Sequence, residues 1–226
     1  MISTHRLGKS FGRLEALREI DLEVAPGECL GVSGVAGSGR STLLRLMGTL
    51  VAPTTGTVTV AGIDAVADVY QARQHMVHVG RDLPGRSRLS TRDHVHAVLG
   101  ARLPRTPAVR RRATDDALDR AQLVPDASVD TLTDERRARL AIATAFLLQP
   151  RVLLLDEPLQ GLDAQWHVQC VEWLREVRDA GTTVVLAMGN EAHLLPLCHR
   201  VEHLAAGRLV AGDGTAGAPH LAGRPT

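Results

Sequence analysis

A chain of 226 residues, 44% hydrophobic and 23% charged, has the size and composition of one globular domain with a real core, which sets disorder aside. Its 26 basic and 25 acidic residues leave a formal charge of +1, so no overall field points to nucleic acid or to a membrane surface. Within that balance 25 of the 26 basic residues are arginine, with Lys9 the single lysine, and only five residues are aromatic, so Leu, Val, Ile and Ala must build the core.

In chain order, His5 to Phe11 and Ile20 to Val24 alternate as strands, with a turn at Pro26-Gly27. Cys29 to Ser33 is a short apolar run of the buried-strand kind, and the glycine-rich loop Gly34 to Gly39 follows it. Leu43, Leu44, Leu46 and Met47 set a helical spacing over Ser41 to Leu50. Thr57 to Val60 reads as a strand ending in a turn at Ala61-Gly62, and Met76 to Val79 as another. The middle is helical over Thr91 to Leu103, Ala108 to Ala121 and Thr133 to Gln149, parted by Pro104, Pro107 and Pro125. Strands return at Val152 to Leu155 and Thr183 to Ala187, with a helix from Ala164 to Ala180 between them that Gly181 stops. Two short strands, Val201 to Ala205 and Arg208 to Ala211, precede a Gly-, Ala- and Pro-rich segment, 212–226, that is expected to be flexible. Strands alternating with helices predict an α/β layer fold with a largely parallel core. The expected organisation is one domain, with its core in about 1–80 and 150–211 and a helical insert at about 81–149.

The longest aliphatic runs, such as Val152 to Leu155, are far too short to cross a bilayer. The N-terminus lacks the charged-then-apolar pattern of a secretory signal, so secretion is not expected. Cys29, Cys170 and Cys198 are widely spaced and odd in number, which predicts reduced, partly buried cytosolic thiols and neither a disulfide framework nor a zinc site. The ten histidines do not cluster at ligand spacing; His94 and His96, the nearest pair, are expected to pack or to face solvent.

Strand, glycine-rich loop and helix form an arrangement that binds phosphate, because the loop amides and the helix N-terminus point at the anion. Here the string is Gly34-Val35-Ala36-Gly37-Ser38-Gly39-Arg40-Ser41-Thr42, with Arg40 where the phosphate-loop motif expects lysine. The apolar strand Val152 to Leu155 ends in Asp156-Glu157-Pro158, and Leu159-Gln160-Gly161-Leu162-Asp163 follows directly. Thr131-Leu132-Thr133-Asp134-Glu135-Arg136 opens the helix that leads to that strand. Together these motifs resemble the ATP-binding cassette (ABC) ATPases, specifically the nucleotide-binding subunit of a transporter, from about Thr4 to Val210.

The resemblance implies a P-loop NTPase fold: a RecA-like parallel core, an antiparallel β subdomain and an α-helical insert. It implies ATP and Mg²⁺ as cofactors. Phe11 would stack on adenine, with core packing as the alternative. Gly34, Gly37, Ser38, Gly39, Arg40, Ser41 and Thr42 would cradle the phosphates, with the Ser41 hydroxyl on Mg²⁺. Asp156 would hold Mg²⁺ through water, and Glu157 would be the general base for the attacking water. Asp163 would lie in the loop that crosses the dimer interface, because cassettes of this family pair head to tail. Each ATP then lies between the phosphate loop of one cassette and the signature helix of the other. The remaining partner would be a separate membrane permease, which places the chain on the cytoplasmic, inner face of the membrane.

Four positions depart from the family pattern. Arg40 is a wide planar fork where a lysine would be a compact point charge. Arg81, in Val79-Gly80-Arg81-Asp82, best matches a Gln that would contact Mg²⁺ and water and couple to the membrane partner. The signature Leu-Ser-Gly-Gly-Gln is replaced by Leu132-Thr133-Asp134-Glu135-Arg136. Its glycines would let backbone approach the γ-phosphate, whereas Asp134 and Glu135 bring side chains and negative charge. The same acids suit the first turn of a helix capped by Thr133, and Arg136 is expected to offset part of their charge. A family histidine after the strand Thr183 to Ala187 is matched by Gly189; His193, four residues later, is not expected to replace it.

Loss of one preorganised charge-stabilising group typically costs 10²–10³ in rate, so these departures predict weak or absent hydrolysis with nucleotide and Mg²⁺ binding retained. A second, intact cassette in a heterodimer is the expected partner, and a soluble regulatory or scaffold protein on the same fold is the alternative. The near-neutral total also conceals an asymmetry: residues 81–151 hold 14 arginines against 9 acids. In this family that insert faces the permease and the membrane surface, although Arg110-Arg111-Arg112 reads first as a solvated helix face.

Overall fold

The computed structural model describes residues 1–80, 88–102 and 106–211. The first part of the chain gives β1 (Ile2–Phe11), β2 (Leu14–Val24), β3 (Cys29–Ser33), α1 (Arg40–Met47), β4 (Thr55–Val60), β5 (Ile63–Asp64), α2 (Val69–Gln74) and β6 (Met76–Val79). Three helices follow: α3 (Thr91–Arg102), α4 (Pro107–Arg120) and α5 (Asp134–Leu147). The chain then returns through β7 (Val152–Asp156), α6 (Ala164–Asp179), β8 (Thr183–Ala187), β9 (Arg200–Ala205) and β10 (Arg208–Val210).

The strands form two sheets. One is antiparallel, in the order β2-β1-β4-β5. The other has the order β10-β9-β3-β8-β7-β6, parallel except for β10 at its edge. The α/β class with a parallel core, expected from the alternation of elements, is the one observed, and so is the antiparallel sheet that the resemblance implies. Helices α3, α4 and α5 pack on one another, and α5 rests on β6.

The parallel sheet is buried on both faces, which explains why its strands read as unbroken apolar runs. All five residues of β7 are buried, and the pleat sends them alternately into two cores. Leu153 and Leu155 join Leu140 and Ile142 of α5 and Trp166 and Trp173 of α6. Val152 and Leu154 join Leu43 and Leu44 of α1 and Ile20 and Val58 of the antiparallel sheet. Aromatic area is concentrated in the first core, where Trp173 stands edge-on to both Phe146 (5.7 Å) and Trp166 (5.8 Å).

The first hairpin starts earlier than the alternation predicts. β1 begins at Ile2 and β2 at Leu14, and the two pair from Phe11–Leu14 to Ile2–Val24. Register shifts along β1 and the left-handed Glu19 (φ 47°) interrupt the two-residue period, so only part of each strand alternates visibly. Helix α1 stops at Met47, short of the expected Leu50, because Thr49 turns left-handed (φ 58°) and the end closes with Thr49 donating to the Leu46 carbonyl and Leu50 to the Arg45 carbonyl. The segment expected to be flexible, 212–226, lies outside the described residues. Among the described residues no helix is long and apolar enough to cross a membrane.

Candidate functional site

Three adjacent parallel strands bring the site together. Val32 of β3 and Asp156 of β7 both pair with Ala187 of β8, so the segments leaving these strands emerge side by side at the carboxyl edge of the sheet. The glycine-rich loop leaves β3, Glu157 leaves β7 and Gly189 leaves β8.

Gly39 turns the loop into α1 with φ 110°, a conformation that L side chains rarely adopt. A Cβ there would lie 2.7 Å from the Ala16 carbonyl and 2.8 Å from Leu17, so β2 presses directly on the loop. Gly39 supplies no side-chain cap, and the first amides of α1 remain available to an outside acceptor. Gly37 faces open space, Ser38 is buried, and Ser41 and Thr42 are half-buried on the first turn.

Asp156 ends β7 and is only 4% exposed, yet its buried Oδ1 has no hydrogen-bond partner among the described residues. A buried carboxylate oxygen without a donor is costly, and a cation settles it. The unsatisfied carboxylate oxygen of Asp156 and the hydroxyl of Ser41, on the first turn of α1, are hard oxygen donors of the kind Mg²⁺ takes, so both fit the metal that the motif implies.

Glu157 follows with a left-handed backbone, φ 54°, which costs about 1–2 kcal/mol in a non-glycine residue. Two bonds hold it there. Its amide donates to the Ala187 carbonyl at 2.8 Å, and its Oε1 accepts from the Gly189 amide at 2.9 Å. The same Oε1 takes a third contact, from Arg40 Nη2 at 2.8 Å, while Arg40 Nη1 donates to the Gly34 carbonyl. The pair is largely out of water, with side chains 9% and 19% exposed. The fork of Arg40 therefore ties the head of the phosphate loop to the carboxylate expected to act as base. One ammonium on a lysine stem has no such fork.

Phe11 ends β1 with 49% exposure, so packing in a core is not its role. Lys9 Nζ lies 5.0 Å from its ring centroid, and its pairing partner Leu14 is two residues from Ala16, which abuts Gly39. Asp163 caps α6, its Oδ1 accepting from the Trp166 amide at 2.8 Å; the motif spacing gave no hint of this second task. Arg81 lies outside the described residues. His193 sits in a 3-10 turn over Glu191–His193 with its ring edge-on to His167, 4.9 Å away.

At the N-terminus of α5, Thr133 Oγ1 accepts from the Arg136 amide at 3.3 Å and caps the helix as expected. The acids that follow are neutralised one turn on, by residues other than the expected Arg136. Asp134 pairs with Arg137, and Glu135 pairs with Arg139. Arg139 also lies 3.7 Å from Asp163 Oδ2 and 3.9 Å above the Trp166 ring, joining this helix to the start of α6. The sequence reading missed Arg139; its only signal was the i, i+4 spacing from Glu135. The fold likewise brings two distant cysteines together, the Sγ atoms of Cys29 and Cys198 lying 3.7 Å apart, and the thiol proton that Cys198 shares in this contact, together with burial, holds it well above the usual thiol range.

A sequence profile of the family described as ABC transporter matches residues 17–160. Similar relatives include a sulfate/thiosulfate import ATP-binding protein of Rhizobium meliloti, 33% identical over 218 residues, or 92% of this chain and 58% of that protein. A daunorubicin resistance ATP-binding protein of Streptomyces coeruleorubidus is 34% identical over 216 residues, 92% of this chain and 66% of that protein. The chain thus spans less than two thirds of the length of these relatives. Among solved structures, one described as the ATP binding subunit of an ABC transporter superposes with a TM-score of 0.85 at 21% identity, covering 93% of this chain and 88% of that one. A dimeric ATP-binding cassette in a post-hydrolysis state, bound to ADP and Pi, gives 0.82 at 23% identity over 92% and 96%.

Proposed function

The chain belongs to the ABC transporter family, with the P-loop NTPase fold of its ATPase domains, and on that premise we propose that it is an ATP-binding subunit coupling Mg-ATP to a separate membrane permease. The observation that carries this reading is the buried Oδ1 of Asp156, without a partner among the described residues, at the same sheet edge as an uncapped, glycine-led helix N-terminus. Gly34, Gly37, Ser38, Gly39, Arg40, Ser41 and Thr42 are the residues to hold the phosphates, and Ser41 and Asp156 those to hold the metal. Bound Mg²⁺ would neutralise phosphate charge. Phe11, half exposed at the end of β1, is the residue assigned to stack on the base in this reading.

In this reading hydrolysis is slow. Glu157 must orient or deprotonate a water with one of its two carboxylate oxygens already held by Arg40 and the Gly189 amide. The neutralised but side-chain-filled N-terminus of α5 offers a partner's γ-phosphate no bare backbone. An intact second cassette, supplying its own signature helix to this phosphate loop, is the partner that best completes the site. The α3–α5 block, with its arginine surplus, would face the permease at the inner surface of the membrane.

Two measurements test the proposal. The purified chain should bind a fluorescent ATP analogue, more tightly with Mg²⁺ than with EDTA, and turn over at least about a hundredfold more slowly than the ~10 s⁻¹ of an ordinary enzyme. Absence of binding in both conditions would remove the subunit reading. Ordinary turnover abolished by Glu157→Gln would remove the impairment. Co-purification with a permease separates a transporter subunit from a free-standing regulatory cassette.

A further inference from the structure

The guanidinium of Arg40 occupies space that exists because residue 189 has no side chain. A Cβ built on Gly189 would lie 3.3 Å from Arg40 Nη1, 3.5 Å from Nη2 and 3.5 Å from Glu157 Oε1. That spacing is tight already for a methyl group, and a longer side chain directed at the guanidinium would have to displace it. The same glycine contributes its amide to Glu157 Oε1, on the oxygen that accepts from Arg40. Arg40 in turn is buried, 8% exposed, and such a charge is tolerated only when paired. Its fork meets that demand at both ends, on the Gly34 carbonyl and on Glu157.

We propose that Arg40 and Gly189 form a single functional unit: the bare glycine admits the arginine of the phosphate loop to Glu157, and the two residues together latch that carboxylate to the loop. This rests on the reading of the loop as a nucleotide site. Gly189 is a positioning residue, acting through Arg40. The latch opens when a terminal phosphate of a nucleoside triphosphate draws the guanidinium away, since phosphate takes the same planar fork. The two departures from the family pattern at positions 40 and 189 are then one change, with the wider cation in one position matched by lost bulk in the other.

A double-mutant cycle tests this with Arg40→Lys, Gly189→His and the two combined, read by thermal midpoint without nucleotide and by affinity for a fluorescent ATP analogue with Mg²⁺. Gly189→His alone should lower the midpoint by about 5 °C or more, and in the Arg40→Lys background by under about 2 °C. The same rescue should appear in binding, with roughly a tenfold loss for Gly189→His alone recovered in the double variant. Should Gly189→His fail to fold with Arg40 present yet fold in the Arg40→Lys background, the pair is confirmed more strongly. Gly189→Ala, whose methyl the site can accommodate under pressure, provides a milder arm with a smaller drop in the same direction. Additive shifts in both readouts would overturn the proposal, whatever the chain does with nucleotide. Coupled midpoints in a chain that binds no nucleotide would instead leave the pair standing and remove the function proposed above.

Discussion

The N-termini of α1 and α5 both carry charged side chains where the family resemblance expects phosphate to meet a lysine or bare backbone, and they handle that charge in opposite ways. At α1 the charge is a cation. Arg40 reaches out of its helix to a carboxylate 117 residues away, so the contact is tertiary and buried. At α5 the charges are anions, and their partners are three and four residues on in the same helix, so the contacts are local. A bound phosphate would compete with Glu157 for Arg40, but Asp134 and Glu135 would repel it. At an effective dielectric near 20, one pair of like unit charges at 4 Å costs about 4 kcal/mol before Mg²⁺ screens it. The sign of the new charge, and whether its partner is local, decide what each end can still do. On the function proposed above, the N-terminus of α1 would keep a route to nucleotide, and the acids at the N-terminus of α5 would oppose one.

The largest effect should come from unpairing the buried cation. Glu157→Ala leaves Arg40 with the Gly34 carbonyl as its remaining partner and should destabilise the fold by about 3–5 kcal/mol, a fall in midpoint of about 10 °C. Glu135→Ala should cost less, about 1–2 kcal/mol, because Arg139, although as buried as Arg40 at 11% exposed, keeps the Asp163 carboxylate at 3.7 Å and the Trp166 ring as partners. Equal losses, measured by thermal or urea unfolding, would mean that the two ends carry their charge in the same way and would break the comparison.

A middle-sized effect should appear at the signature end, in association. Replacing both Asp134 and Glu135 by glycine removes two negative charges and two side chains from the N-terminus of α5. Nucleotide-dependent dimerisation of the purified chain, followed by sedimentation with Mg-ATP, should tighten by about tenfold or more, well under the unscreened Coulomb estimate. The variant should also lose about 1–2 kcal/mol of stability, because glycine is a poor helix former and the first-turn acids favour the dipole. Unchanged dimerisation would mean that this surface never faces ATP, and the contrast between the helix ends would then have no functional content.

Much of this was legible in the chain itself. The apolar run Val152 to Leu155 is buried on both faces, and a strand of that kind has no polar side to hide. The phosphate loop, the Asp156-Glu157 pair and the Asp163 position follow local patterns of fixed spacing, and local patterns survive in sequence. What was not legible is tertiary. Nothing in the spacing of Gly34, Arg40, Glu157 and Gly189 says that a guanidinium spans three of them, because that contact depends on the adjacency of β3, β8 and β7. The offset of the signature acids was expected from Arg136, the nearest cation in the string. Helical geometry gives it instead to Arg137 and Arg139, because residues three and four apart share a face and neighbours one or two apart do not.

The smallest effect separates the two ends by their response to salt. The Asp134 side chain is 84% exposed, and its pairing with Arg137 plus its place at the helix N-terminus should together contribute under about 1 kcal/mol. The Debye length shrinks from about 10 Å at 0.1 M to about 3 Å at 1 M salt, so the destabilisation caused by Asp134→Asn should fade almost entirely at the higher concentration. Glu157→Gln keeps the shape of its side chain and removes its charge beside a guanidinium that solvent and ions hardly reach. Its larger loss should therefore persist from 0.1 to 1 M, since a buried pair is screened far less than an exposed one. If the Glu157→Gln loss faded in step with that of Asp134→Asn, ions would be entering the space between Arg40 and Glu157. Both ends would then hold ordinary surface charge, and the phosphate-loop arginine would be free to meet phosphate without first leaving a partner.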